Sequence, residues 1–339
     1  MIALSDLMHI PQLAITWGFF FIAGISTFLL SIRKNKQPFS PTALFRHIFP
    51  FDFRSAKSVH MDVIIYVIRK LTDFAPGFVA VALTAFISKA TFDALKLINQ
   101  DYVPMHPGYI ATFACGVALL LASEFSDYVV HYLEHKNPIL WEIHKVHHSA
   151  EHLTPITSLR GHSLGLFYHN AVQSFFCGPI AALFMHVYGL SLADTLVLGT
   201  ISRKAFSIGT LDALKHSHFP ISLGVCEGVL ISPHMHQIHH SKLKQHWDKN
   251  FGTNLSIFDW IFGTAYKPKK NEEIVLGLHG YDDVAIKKYH TLQGAYVAPL
   301  VNICRLVAES WRKRRNPALA DLQPLAQDPA PPASAPSPR

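Results

Sequence analysis

The residues of this chain best suited to chemistry are eight histidines in three short runs. They are His131 and His135 in HYLEH, His144, His147 and His148 in HKVHH, and His236, His239 and His240 in HQIHH. On a helix, positions four apart share a face. His131 therefore projects with His135, His144 with His148, and His236 with His240, while His147 and His239 sit about 100° round the helix from those pairs. An HxxHH segment can thus present imidazoles to two metals lying side by side, whereas a single zinc takes four ligands, usually without adjacent pairs. With 22 histidines in 339 residues the HxxHH pattern is expected by chance roughly 0.1 times, and it occurs twice. Neutral imidazole is the commonest ligand for iron, copper and zinc. The isolated His106, His169, His186 and His290 are expected instead as hydrogen-bonded core residues.

Two metals sharing eight or more neutral donors keep a high positive charge. Such a pair can bind and reductively split O2, giving an oxidant able to break an aliphatic C–H bond. Carboxylate-bridged di-iron sites use Glu and Glu-x-x-His on bundle helices instead. Here Glu124 and Asp127 lie upstream, Asp127 one turn before His131, and are expected as acceptors for imidazole N–H groups; the alternative is plain helix-surface acids. Two other readings compete. HYLEH also satisfies H-x-x-E-H, an inverted zinc-peptidase motif with Glu134 as general base, but this leaves six clustered histidines unexplained. A histidine-rich metal transporter or metal-binding protein would place ionisable groups along a mid-membrane pathway, whereas these clusters fall at helix ends and in loops on one side.

The elements that must position these groups are apolar. Half of the residues are hydrophobic and 16% are charged, well below the roughly one quarter of soluble domains. The net charge of +7 gathers in basic clusters beside apolar runs, where it sets topology and meets anionic headgroups. No stripe of interleaved aromatic and basic residues supports nucleic-acid binding. Cys115, Cys177, Cys226 and Cys304 are scattered and read as ordinary small residues. Leu13 to Ile32 carries no charge and is followed by Arg33, Lys34 and Lys36, which puts the N-terminus outside and argues against a cleaved signal peptide. Further segments are expected near Phe74 to Ser88, extending past Lys89, from Tyr102 to Ser123 continuing as helix to His135, and within Ser163 to Ala193. A fifth begins near Leu192 but meets Arg203 and Lys204 early, as a half-span or tilted arm. This alternation brings every histidine cluster to the cytosolic face. Ser232 and Pro233 open a helix through His240, and Pro138 separates the first two clusters onto their own helices. Tyr296 to Trp311 is amphipathic and basic at its end, as suits a surface-lying helix. Residues 316–339, rich in Pro, Ala and Ser, are expected to be a disordered tail. The expected fold is all-α and multi-pass, with about four to five membrane helices.

With these motifs in place, the chain resembles the sterol desaturase / fatty acid hydroxylase superfamily. The resemblance runs from Glu124 to Tyr266. It takes in His131-x3-His135, Pro138, Leu140-Trp141, His144-x2-His147-His148-Ser149-Ala150-Glu151, Arg160-x-His162 and Ser232-Pro233-x2-His236-x2-His239-His240-Ser241. Behind these stand Lys249-Asn250-Phe251-Gly252 and Phe258-Asp259-x2-Phe262-Gly263-Thr264, near the family's NYG and WDxxFGT elements. The family pattern also has a histidine about twenty residues before the third box, a position held by His216, which the resemblance makes a further ligand. The resemblance implies a cytosolic helical cap on a membrane stem, carrying two iron ions at its base. It also implies O2 as co-substrate, a lipid substrate (sterol, fatty acyl, carotenoid or alkylglycerol) hydroxylated or desaturated there, and electrons from a separate cytochrome- or ferredoxin-type carrier. The host membrane would be a bacterial inner membrane or the endoplasmic reticulum. The expected regions are membrane helices over 1–123, a catalytic region over 124–266, a C-terminal segment over 267–315 and the tail. The chain departs from the family at Tyr132 (usually Arg), Ser163 (usually Pro) and His218 (usually Asn). His162 and His218 stay open as ligands, outer partners or neither, and Asn250 and Asp259 are further candidates for the site's periphery.

Overall fold

The computed structural model describes residues 4–280 and 285–315, with side chains from Ala14 onward. The expected disordered tail, 316–339, lies outside the described residues. Eleven helices follow one another among those described: α1 (Leu4–Asn35), α2 (Pro41–Ile48), α3 (Lys57–Thr72), α4 (Phe74–Ile98), α5 (Tyr109–Lys136), α6 (Pro138–His148), α7 (Ser163–Tyr188), α8 (Leu192–Gly209), α9 (Pro233–His239), α10 (Ile257–Phe262) and α11 (Ala298–Arg315). No strand occurs among the described residues, only isolated bridges at Leu230–Leu255 and Ser241–Leu276. The protein is an all-α, multi-pass membrane protein.

Four stretches are long and apolar enough to cross a bilayer: Ala14–Asn35, Phe74–Ile98, Tyr109–Lys136 and Ser163–Tyr188. The third begins later than expected. Tyr102 to Gly108 stays outside the helix, because Pro104 and Pro107 break it and Met105 N and Tyr102 OH bond instead to Val187 O. The fifth segment forms α8, at 18 residues shorter than these four. α2 and α3 are not among the expected segments.

α7 packs against both α4 and α5, and α5 also packs against α8. Small residues allow the close approach: a Cβ on Gly178 of α7 would press on the Ile87 side chain of α4, as in tight helix pairs within lipid. Polar links sit among these contacts, with Ser174 Oγ 2.8 Å from Thr84 Oγ1 and Arg203 of α8 paired with Asp127 of α5 at 2.7 Å. At 28 residues α5 runs roughly 42 Å at 1.5 Å per residue. That exceeds the ~30 Å hydrocarbon thickness, so its C-terminal turns reach past the apolar layer with His131 and His135.

Beyond those turns, α3, α6, α9 and the intervening loops build a compact cap. Its core joins Met61 and Ile65 of α3 to Val146 of α6 and to Leu278, Ile286, Tyr289 and Ala295, with Trp141 packed against them. Arg160, fully buried, binds Asp62 at 2.7 Å and donates to Val146 O, Ser58 O, Ser149 Oγ and Tyr289 O. One guanidinium thereby ties α3 to α6 and to the C-terminal part of the cap.

Candidate metal centre

Local signals place the histidines. Asn137 caps α6 by accepting from Ile139 N and Leu140 N, with Pro138 in the first turn. Ser232 Oγ accepts from Met235 N and opens α9 with Pro233 behind it. Two short capped helices and the end of α5 then converge, as the spacing predicts.

Nine imidazoles fall into two adjoining groups. The first holds His131, His135, His144, His148 and His239; the second holds His147, His216, His236 and His240; within each, the candidate ligand nitrogens lie within 4.8 Å of one another. Each HxxHH run splits as helix geometry requires, His147 and His239 joining the group opposite to that of their neighbours. The groups share a wall, with the His148 and His240 rings 4.7 Å apart and the His144 and His147 rings 5.5 Å apart. The loop after α8 brings His216 in to complete the second group.

Outward-facing nitrogens are held by fixed acceptors. The Nδ1–H groups reach Phe251 O from His131 (2.7 Å), Arg160 O from His147 (2.9 Å) and Lys249 O from His239 (2.8 Å). His144 Nδ1 lies 2.9 Å from Glu134 Oε2, whose other oxygen accepts from Tyr168 OH and His169 Nε2. A neutral imidazole has one donor and one acceptor nitrogen, so in these rings the Nε2 lone pair points inward.

The inward nitrogens are crowded in a way hydrogen bonding cannot satisfy. His148 Nε2 lies 3.1, 3.0 and 3.1 Å from Nε2 of His135, His144 and His239. His216 Nε2 lies 3.2, 3.0 and 3.3 Å from Nε2 of His147, His236 and His240. One nitrogen can donate to a single neighbour, leaving lone pairs facing lone pairs. Protonation brings no relief. Burial first, then neighbouring charges, drive His148, His236 and His240 well below the ordinary value, burial takes His216 down to about 4, and burial holds His239 at about 3. A cation in each group would resolve the conflict, as metal ligands with their outer N–H groups fixed do elsewhere. His131 Nε2, buried and without a partner, also fits this arrangement. A cavity of about 50 Å³ lies against His135, His148, His239 and His240 and is walled by Trp141 and Asp248. The Asp248 carboxylate there accepts from Lys136 Nζ at 2.5 Å.

Several expected participants stand elsewhere. Glu124 accepts from Asn254 N, Asn254 Nδ2 and Leu255 N, and Asp127 pairs with Arg203, so neither bonds to an imidazole of the two groups. His162 caps α7 through Leu164 N and meets Tyr296 O, while His218 meets His47 O. Asn250 bonds Met235 O and Tyr266, and Asp259 accepts from Phe251 N, Gly252 N and Thr264 Oγ1; both shape the loop that carries two of the carbonyl acceptors. His106 is exposed rather than in the core. His169 does bond, to Glu134, and His186 stacks on Tyr102 at 4.8 Å. Sequence reasoning missed Glu134 as an acceptor. Its signal was its place three residues after His131 and one before His135, within reach of both helices. The carbonyl acceptors have no side-chain signal at all.

Comparison with known proteins covers the segment that carries these histidines. Residues 116–264 match the fatty acid hydroxylase family. The chain is 29% identical over 161 residues to an ornithine lipid hydroxylase of Rhizobium tropici, a match covering 48% of this chain and 44% of that protein. It is 30% identical over 176 residues to the alkylglycerol monooxygenase of Homo sapiens, covering 50% of this chain and 35% of the other. A cholesterol 25-hydroxylase-like protein of Danio rerio is 30% identical over 166 residues, covering 45% and 60%. The chain thus spans less than half the length of the first two relatives. No solved structure matches it. The matched segment contains all nine converging imidazoles, and over it the chain is similar to the fatty acid hydroxylase / sterol desaturase superfamily.

Proposed function

We propose that the protein is an O2-dependent non-haem oxidoreductase that holds two iron ions and attacks an unactivated C–H bond of a lipid. The observation that carries this reading is the pair of adjoining groups whose Nε2 lone pairs face one another at 3.0–3.3 Å. His131, His135, His144, His148 and His239 would hold one ion, and His147, His216, His236 and His240 the other. When bound, the pair supplies the redox chemistry that activates O2 for C–H cleavage. The protein's own part is positioning. Phe251 O, Lys249 O, Arg160 O and Glu134 fix the ring orientations, and burial keeps His148, His216, His236, His239 and His240 neutral and lone-pair bearing.

The hydroxylase and monooxygenase relatives favour hydroxylation over desaturation. The catalytic region is taken as 124–266, on the cytosolic face, with electrons delivered by a separate cytochrome- or ferredoxin-type protein. A transporter reading has less support, because the clustered histidines lie at helix ends rather than along the spans.

The test is a mass-spectrometric comparison of lipids from cells with and without the protein. The expected difference is a lipid class gaining one oxygen, or losing two hydrogens if desaturation prevails. His148→Ala and His240→Ala should each remove that difference and lower bound metal while membrane insertion persists. Full turnover in both variants would overturn the assignment.

A further inference from the structure

A second cavity, of about 210 Å³, lies in the cap away from the nine imidazoles. Its wall is formed by the start of α3 (Ser55 to Ser58), by Glu151 and His152 just after the second histidine box, and by Lys287 and His290. The 16-residue helix α3 has Ala56 as its N-cap, which offers no side-chain acceptor to the first turn; Lys57 N bonds Ser55 O at 2.8 Å. That end carries partial positive charge, and Lys57 and Lys287 add two full charges. Among the described residues Glu151 is the one acidic group in the wall; its side chain is 34% exposed and its Oε2 lies 3.4 Å from His290 Nδ1.

His290 supplies an independent observation. Its side chain is 1% exposed and lines the cavity. Nε2–H is committed to Ser149 O at 3.2 Å, and Nδ1 has no hydrogen-bond partner. Glu151 Oε2, 3.4 Å away, is itself an acceptor and cannot satisfy a neutral Nδ1. Burial, with Arg160 nearby, pushes His290 down to about 4, so the neutral form stands at physiological pH. The cavity lining therefore combines two lysines and a helix N-terminus with a buried ring nitrogen that has no donor.

We propose that this cavity binds a phosphate-type oxyanion that still carries a hydroxyl, either free phosphate or the phosphomonoester headgroup of a lipid. Its charged oxygens meet Lys57, Lys287 and the α3 N-terminus, the arrangement by which helix ends hold phosphate. Its O–H donates to His290 Nδ1. A carboxylate or sulfate meets the first requirement and lacks the second. The assignment does not depend on what chemistry the histidine groups perform.

The test uses the full chain purified in detergent and phosphate-free buffer at pH 7.5, titrated calorimetrically with sodium phosphate. Saturable binding is expected, at least tenfold tighter than sodium sulfate. It should weaken at least tenfold in the double variant Lys57→Ala/Lys287→Ala and stay unchanged in Lys267→Ala/Lys269→Ala, whose lysines lie outside the cavity. In phosphatidylcholine nanodiscs, phosphatidic acid that abolishes phosphate binding identifies the lipid headgroup as the occupant. Undiminished phosphate binding there identifies a soluble source. The proposal is overturned by no saturable phosphate binding in either setting, by sulfate binding as well as phosphate, or by indifference to the double variant. Uptake of zinc or magnesium that Glu151→Gln removes, in place of phosphate binding, also overturns it.

Discussion

Glu134 offers the sharpest test of the metal centre, because it is buried, charged and bound to three donors without being one of the converging imidazoles. Its side chain is 2% exposed; Oε2 lies 2.9 Å from His144 Nδ1, and Oε1 lies 2.5 Å from Tyr168 OH and 3.1 Å from His169 Nε2. Glu134→Gln keeps the shape and removes the charge. A hydrogen bond to a charged group is worth about 1.5–3 kcal/mol and a neutral one about 0.5–1.5 kcal/mol, so the His144 contact alone weakens by about 1 kcal/mol. The amide must also turn its NH2 towards groups that donate to the carboxylate. Loss of the anion makes His144 a poorer donor to a cation as well. Together these place the loss near the 10–100-fold typical of removing an outer partner of a metal ligand, or about 1.4–2.7 kcal/mol. Equilibrium dialysis against a chelator-buffered metal series, followed by elemental mass spectrometry, measures it directly. At a concentration that saturates both groups in the parent, the variant should retain about one ion per chain, the second group being untouched, with unchanged helical circular dichroism. Parent-like affinity at both groups, within threefold, would refute the role assigned to Glu134.

Other expectations follow from the same contacts. Arg160→Met strands the fully buried Asp62 carboxylate, and breaking such a pair costs about 3–5 kcal/mol, readable as a large drop in the thermal midpoint in detergent. Gly252→Ala sets a Cβ against Leu255 O and Asp259 Oδ2; overpacking of this kind costs about 1–3 kcal/mol, and the displaced loop should lower metal affinity in the group containing His131. In the metal-free protein, His216 and His239 titrate near 4 and 3 when folded and near the ordinary ~6.5 when unfolded. Between these values the unfolded chain binds protons that the native one does not. Stability should therefore fall as pH drops below ~6.5, by up to about 1.4 kcal/mol per pH unit for each such group. Denaturant midpoints measured between pH 7.5 and 5.5 check this, and a flat or opposite trend would contradict it.

What could be read beforehand followed the strength of each local signal. Long uncharged runs and the i, i+4 histidines gave the spans and the division of the boxes between two groups, because both depend on helix periodicity alone. Hydropathy alone starts α5 at Tyr102, since it does not register Pro104 and Pro107 as strongly as the backbone does. α3 was invisible for a different reason. Its Asp62 looks like a surface acid in KSVHMDVIIYVIRKLT, and only Arg160, 98 residues further on, makes its burial tolerable. Proximity in sequence to His131 points to Glu124 and Asp127 as imidazole partners. On the helix they face the Asn254 loop and Arg203, whose positions depend on tertiary packing.

The carbonyl grip on His239 has a consequence for how this centre tolerates change. The acceptor is the main chain of Lys249, flanked by Asp248 and Asn250 at φ 56° and 58°, a conformation that Asp and Asn adopt more readily than most residues. Exchanging the lysine side chain leaves the grip in place, so this position can drift without loosening the ring it orients. Inserting or deleting a single residue between Asp248 and Asn250, or replacing either flank with a β-branched residue, would swing the oxygen away. The centre is thus insensitive to the chemical identity of that side chain and acutely sensitive to the length and handedness of the turn.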